Sequence, residues 1–112
     1  NVIERAGKYV FPVRAEIVMK KLDFTKVSAY LGVPDDELGE KAVCVIQPTD
    51  LEALKDDATK KKWEAEVARI LNKNEIPFDG LVFVQDIPLD ARHHSKVEYD
   101  VLRKSLQDQE LV

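Results

Sequence analysis

Residues 27–46, "VSAYLGVPDDELGEKAVCVI", decide how this chain folds. In the first part Val27, Ala29, Leu31 and Val33 fall on one face and Ser28 and Tyr30 on the other, the two-residue repeat of a β-strand. "PDDELG" then reads as a turn, because Pro34 fixes its own φ and Gly39 tolerates a sharp reversal. The second part, which runs on as "EKAVCVIQP" (40–48), is apolar almost throughout, as expected of a strand covered on both faces and central in its sheet. A connection this short makes the two an antiparallel pair.

On the N-terminal side, "VIERAGKYVFP" carries two short β-prone segments about Ala6-Gly7. Gly7 adopts positive φ without steric cost, so a tight hairpin is expected. Pro12 stands where a helix can start, since its missing N–H would be unpaired there anyway. Val13, Ile17, Val18 and Leu22 form a one-sided stripe that predicts a helix over 13–22.

On the C-terminal side, 49–58 is a polar connection. A long helix follows from Thr59, with Trp63, Val67, Ile70 and Leu71 on its apolar face. Pro77 and Gly80 break it, "LVFVQDI" (81–87) reads as a third strand ended by Pro88, and Val97, Val101, Leu102 and Leu106 predict a last helix over 97–108. The expected fold is α+β: a short N-terminal β-hairpin, then a small three-stranded sheet with helices packed against it.

The chain has 112 residues, the size of one domain spanning 1–112 with one modest core. It is 45% hydrophobic and 34% charged, and its net charge of −4 comes with acids and bases interleaved. That pattern offers no basic stripe to a nucleic acid. The longest apolar runs are too short for a transmembrane segment. A single cysteine, Cys44, excludes an internal disulfide and fits a reducing compartment. The sequence starts at Asn1 rather than Met and reads as structured from its first residues, so a segment of something longer is expected.

Self-contained catalytic constellations are missing. Neither GxxxxGK[ST] nor GxGxxG occurs. His93 and His94 are adjacent, so their side chains diverge; with only Cys44 elsewhere, no metal site is expected. Cys44 lies within an apolar strand, where a thiol packs rather than reacts. The pairs Asp35-Asp36 and Asp56-Asp57 read as solvated turn residues. What remains is lysine, a point charge on a flexible stem that can meet a phosphate or a developing oxyanion. Within "IPLDARHHSKVEYDVLRK" (87–104), Lys96 follows a turn-like run and precedes a helical pattern, while Lys104 lies inside that helix. Taken alone, either is an ordinary surface charge.

Three stretches in order resemble the C-terminal lobe of the adenylate-forming (AMP-binding) enzyme superfamily, which includes acyl-CoA synthetases, fatty-acid ligases, luciferases and peptide-synthetase adenylation domains. "IERAGKYVFPVRAEIVM" (3–19) is similar to its glycine turn, aromatic-Pro pair and glutamate opening the first helix. "VSAYLGVPDDELGEKAVCVI" (27–46) matches GVPD-x-x-x-GE between two strands. "ILNKNEIPFDGLVFVQDIPLDARHHSKVEYDVLRK" (70–104) is similar to its helix, Pro, strand, Pro and late Lys before a terminal helix.

The resemblance implies an ATP-dependent acid-activating ligase of fatty acid or related metabolism, cytoplasmic, for which this chain is the lid lobe and is inactive in isolation. A large N-terminal domain of the same protein would hold ATP, Mg2+ and a small-molecule acyl substrate. The lobe would insert a lysine as the acyl-adenylate forms, then rotate and turn its glycine bend toward the acceptor, CoA. By position Lys96 is the catalytic lysine, Gly7 and Lys8 lie on the acceptor-facing turn, and Asn1 falls near the hinge.

One departure is that "LDARHHSK" replaces the shorter threonine- and glycine-containing turn usual before the lysine. It looks similar to the adenylating β-lactone synthetases of olefin biosynthesis, in which case an internal hydroxyl replaces the thiol. His93, His94 and Ser95 are then candidates for contact with substrate or nucleotide; the alternative is that they simply fill a loop. A non-catalytic interaction module of the same fold is the remaining alternative.

Overall fold

A computed structural model of the chain describes residues 2–93 and 96–112. Its elements run β1 (Ile3–Arg5), β2 (Lys8–Val10), α1 (Pro12–Lys20), β3 (Thr25–Asp35), β4 (Gly39–Pro48), a 3-10 turn (Glu52–Lys55), α2 (Asp57–Lys73), β5 (Gly80–Phe83) and α3 (Tyr99–Asp108). β3 and β4 are antiparallel, with Asp35 opposite Gly39 at the turn and Thr25 opposite Pro48 at the far end. β5 pairs parallel with the other edge of β4, Val43 to Gly80 through Ile46 to Phe83. A parallel neighbour needs a long crossover, and α2 supplies it.

β4 is covered on both sides, as its unbroken apolar run requires. Ala42, Cys44 and Ile46 join Ala15, Val18 and Met19 of α1 and Val67 and Leu71 of α2 in one core. Val43 and Val45 face the other way, into a second core with Ala29, Leu31 and Val33 of β3, Ile87, Val97, and Leu102 and Leu106 of α3. The sheet thus separates α1 and α2 from α3. Each fully buried Val, Leu or Ile contributes roughly 1.5–3 kcal/mol relative to an exposed one. α2 is held further by a stack of Trp63 on Phe24, with ring centroids 4.6 Å apart.

The expected α+β arrangement is present, with the N-terminal hairpin continuing the sheet rather than standing outside it. Arg5 pairs with Gly39 at the start of β4, which makes a five-stranded mixed sheet. Several element boundaries differ from the sequence expectation, α2 for one starting at Asp57 rather than Thr59. α1 begins at Pro12 and buries Pro12, Ala15, Val18 and Met19. Val13 and Ile17 stay 63% and 56% exposed. The stripe that meets the sheet is rotated from the expected one, centring on Ala15, Val18 and Met19 rather than on Val13 and Ile17. β5 leaves its ladder after Phe83, since Ile87 is needed in the second core. α3 starts at Tyr99 rather than Val97, because Val97 is instead bridged to Leu89. Val101 faces outward, 55% exposed.

The acidic pairs also have local work. Asp35 accepts the N–H groups of Glu37 and Leu38 in the β3–β4 turn. Asp56 caps α2, accepting both the N–H and the hydroxyl of Thr59. Among the described residues, no helix is long and apolar enough to cross a membrane.

Candidate functional site

After β5 the chain crosses the second face of the sheet and returns to start α3. Ile87 is buried, and its N–H donates to the Gln47 Oε1 at 2.8 Å, which ties the departing strand to the end of β4. Leu89 and Val97 then pair across the neck of a loop. The Asp90 N–H donates to the Lys96 carbonyl at 2.8 Å, and the Glu98 N–H to the Pro88 carbonyl at 2.9 Å. Asp90 Oδ1 accepts from the Arg92 and His93 N–H groups at 2.7 and 3.3 Å. The backbone of Lys96 and of the residues that follow it is therefore bonded to Pro88 and Asp90. Neighbouring residues of extended chain point to opposite sides: Val97 enters the core, so Lys96 turns to solvent.

Lys96 lines an open groove of about 540 Å³ together with Val13 and Ile17 of α1, Val27 of β3, Leu89 and Tyr99. The exposure of Val13 and Ile17 thus has a location: both flank the lysine. At one side of this groove lies Glu16, the glutamate of the first helix. Its Oε2 accepts the Tyr30 N–H at 3.0 Å, and its two carboxylate oxygens share the Tyr99 hydroxyl at 2.8 and 2.6 Å. Burial pushes the Glu16 carboxyl above its usual range, opposed by the Tyr99 and Tyr30 hydrogen bonds. Burial also raises the Tyr99 phenol, and the Glu16 hydrogen bond adds to it, so Tyr99 stays a neutral donor.

The glycine turn is at a different place. Ala6 and Gly7 both have positive φ, +52° and +79°, the geometry of a two-residue hairpin turn that matches strand twist. A Cβ at Gly7 would meet nothing within 4 Å, so the requirement there is backbone conformation, not space. Gly7 and Lys8 are exposed, and the Ala6 N–H donates to the Leu38 carbonyl at 2.8 Å, which docks the turn onto the β3–β4 turn. The Lys96 groove reaches β3 near Val27 and Ser28, at its beginning. The turn docks near the end of β3 and the groove reaches its beginning, so the two stretches lie towards opposite ends of that strand.

Of the remaining sequence candidates, His93 is exposed, with Nδ1 3.8 Å from Asp90 Oδ1. Asn1, His94 and Ser95 lie outside the described residues. Lys104 is on the outer face of α3, 3.8 Å from Asp108. Among the described residues, no three His, Cys, Asp or Glu side chains gather to hold a metal ion.

No protein-family model matches the chain, and no curated protein does. Solved structures do. A fatty acyl CoA synthetase of Mycobacterium tuberculosis superposes with a TM-score of 0.75 at 19% identity, over 96% of this chain and 20% of that one. An acyl-CoA synthetase of Brucella canis gives a TM-score of 0.72 at 19% identity, over 98% and 20%. ATP-bound MatB from Rhodopseudomonas palustris gives 0.72 at 25% identity, over 96% and 20%. The fold is that of the C-terminal lobe of the adenylate-forming enzymes. Two of these three matches are acyl-CoA synthetases, and the chain spans about one fifth of the length of each of the three.

Proposed function

We propose that this chain is the mobile C-terminal lobe of an ATP-dependent ligase that activates a carboxylic acid, and that its catalytic contribution is Lys96. ATP and Mg2+ are then held by the N-terminal domain of the same protein; the described residues of this lobe contain no cluster of three metal-ligating side chains. The acyl carboxylate attacks the α-phosphorus of ATP, pyrophosphate leaves, and the ammonium of Lys96 offsets the negative charge that builds on the oxygens in that step. CoA is the acceptor in this reading, the protein is cytoplasmic, and the isolated lobe is inactive because the nucleotide pocket is elsewhere.

The observation that carries the proposal is the placement of Lys96. Its carbonyl accepts the Asp90 N–H, its neighbour Val97 is anchored in the core, and its own side chain is in solvent beside exposed apolar residues. A rigid base with a long free stem suits a charge delivered to another body. The separation from the Gly7–Lys8 turn supports a reading in which the two stretches act in turn, after rotation of the lobe.

The test is Lys96→Ala in the full-length protein. Adenylate formation, followed by pyrophosphate exchange, should fall about 100-fold or more, the range for loss of one preorganised charge. Transfer from a pre-made acyl-adenylate should change far less. Equal losses in both half-reactions, or none in the first, would refute the assignment. If the full-length protein instead converts a hydroxy acid and ATP to a lactone with no thiol present, the β-lactone synthetase reading of the "RHHSK" run replaces CoA transfer.

A further inference from the structure

Glu16 joins three parts of the fold at one carboxylate, beside the Arg103 Nε that donates to the Gly32 carbonyl at 2.7 Å and ties α3 to the same edge of β3 one turn further on. It belongs to α1, on the first face of the sheet, and Tyr99 opens α3 on the second. A contact between them must pass around the outer edge of β3, which among the described residues pairs only with β4. That edge presents backbone N–H groups that need acceptors. Glu16 takes the one from Tyr30, and its own carbonyl accepts the Ser28 hydroxyl at 2.9 Å. The carboxylate that closes the edge of the sheet is thus the same one that receives the Tyr99 hydroxyl.

Tyr99 stands three residues after Lys96 and is the first residue of α3. The residue preceding it, Glu98, gives that helix no side-chain cap, so the helix start has no local fastening of its own. Val97 fixes the depth of the returning chain in the second core, but an apolar contact is non-directional. The Tyr99 hydroxyl supplies the direction, through a hydrogen bond to a charged acceptor that is largely withdrawn from water. Among the described residues Lys96 has no ion pair, and the Glu16 carboxylate is occupied by Tyr99 and Tyr30. The lysine charge therefore remains available although a carboxylate borders the same groove.

We propose that Glu16 and Tyr99 form a latch around the open edge of β3 that sets where the Lys96 side chain emerges. They are positioning residues for the lysine, and this role rests on the function proposed above. Opening the latch leaves both cores and all five strands intact. It loosens the first turn of α3, and with it the neck that carries Lys96, while the Arg103 bond to Gly32 still holds the next turn.

The experiment is Tyr99→Phe, which deletes one hydroxyl, in the full-length protein. Hydrogen exchange at the Lys96 and Glu98 amides should accelerate about tenfold, in line with the loss of one hydrogen bond to a charged group. Exchange at Val43 and Val45 in β4 should be unchanged, which verifies the fold. Adenylate formation should slow about tenfold with transfer from a pre-made acyl-adenylate preserved, a split that a general loss of structure would not produce. Glu16→Gln keeps an acceptor oxygen and should lose less than Glu16→Ala in both readouts. Unchanged exchange at Lys96 and Glu98 in Tyr99→Phe overturns the latch, as does an equal slowing of both half-reactions. If Lys96→Ala leaves adenylate formation untouched while Tyr99→Phe still loosens the neck, the proposed function fails and the latch stands as a structural device only. If Lys96→Ala abolishes adenylate formation and Tyr99→Phe alters neither readout, the latch alone fails.

Discussion

Arg5 and Asp79, 74 residues apart in sequence, meet side to side: Arg5 Nε is 2.8 Å from Asp79 Oδ2 and Nη2 is 2.6 Å from Oδ1. Asp79 Oδ2 also accepts the Ala42 N–H at 2.7 Å. One carboxylate therefore joins the N-terminal hairpin, β4 and the approach to β5. Both side chains are a quarter exposed or less, so the pair is shielded compared with a surface ion pair.

Asp79→Ala should destabilise the fold by about 1–3 kcal/mol, because it strands the Ala42 N–H and the Arg5 guanidinium together. The hydrogen bonds from Arg5 hold the Asp79 carboxyl below its ordinary range. A carboxyl whose folded pKa is depressed contributes stability above its unfolded pKa and loses it as pH falls through the folded value. The gap between wild type and Asp79→Ala in urea unfolding should therefore be full at about pH 6 and shrink as the pH drops below about 4. A gap independent of pH would show that the charge plays no part.

Gly32 is required by space. A Cβ there would run into the Glu40 carboxylate and stand 3.1 Å from Ile3 Cγ2. Glu40 cannot simply swing away, since its Oε1 accepts the Glu4 N–H at 2.9 Å and so holds β1 against the sheet. Gly32→Ala should cost about 1–3 kcal/mol, the range for overpacking, and thermal unfolding measures it. Glu40→Ala removes the obstacle, so the cost of Gly32→Ala should be smaller in that background. Strict additivity of the two substitutions would contradict the clash.

Cys44 is buried in β4 opposite Tyr30, and burial pushes its thiol well above the ordinary value. It should resist a thiol-specific reagent such as DTNB in the folded chain at neutral pH and react stoichiometrically in denaturant. Modification in the folded state at the rate of a free thiol would mean that the sheet opens at its centre. Cys44→Ser places a hydroxyl in the same apolar site and should destabilise by roughly 1–3 kcal/mol.

The sequence carried the fold because its signals are local. Alternation in 27–33, the unbroken run of 42–46 and the turn between them determine a β-hairpin whose second strand must be covered twice. Ala6-Gly7 determines the N-terminal turn in the same way. α1 was read less well. Val13 and Ile17 share a helical stripe with Val18 and Leu22 in the sequence, but the face that Pro12, Ala15, Val18 and Met19 turn to the sheet leaves them outward. The proposed site is less legible than the fold. Lys96 stands out only through resemblance, and Glu16 only as the glutamate of the first helix, because its partners Tyr30 and Tyr99 lie 14 and 83 residues further along the chain.

What the sequence by itself determined is therefore the order of the elements, the two-sided burial of β4 and the turn at Gly7, each a consequence of short-range sterics or of a repeat along one strand. Tertiary structure alone decided that the hairpin joins the sheet through Arg5 and Gly39, that α1 and α3 lie on opposite faces, and that Glu16 reaches Tyr99 around the edge between them. Those relations depend on which surfaces meet when both cores close, and a hydrogen bond across that closure leaves no periodic trace in the chain.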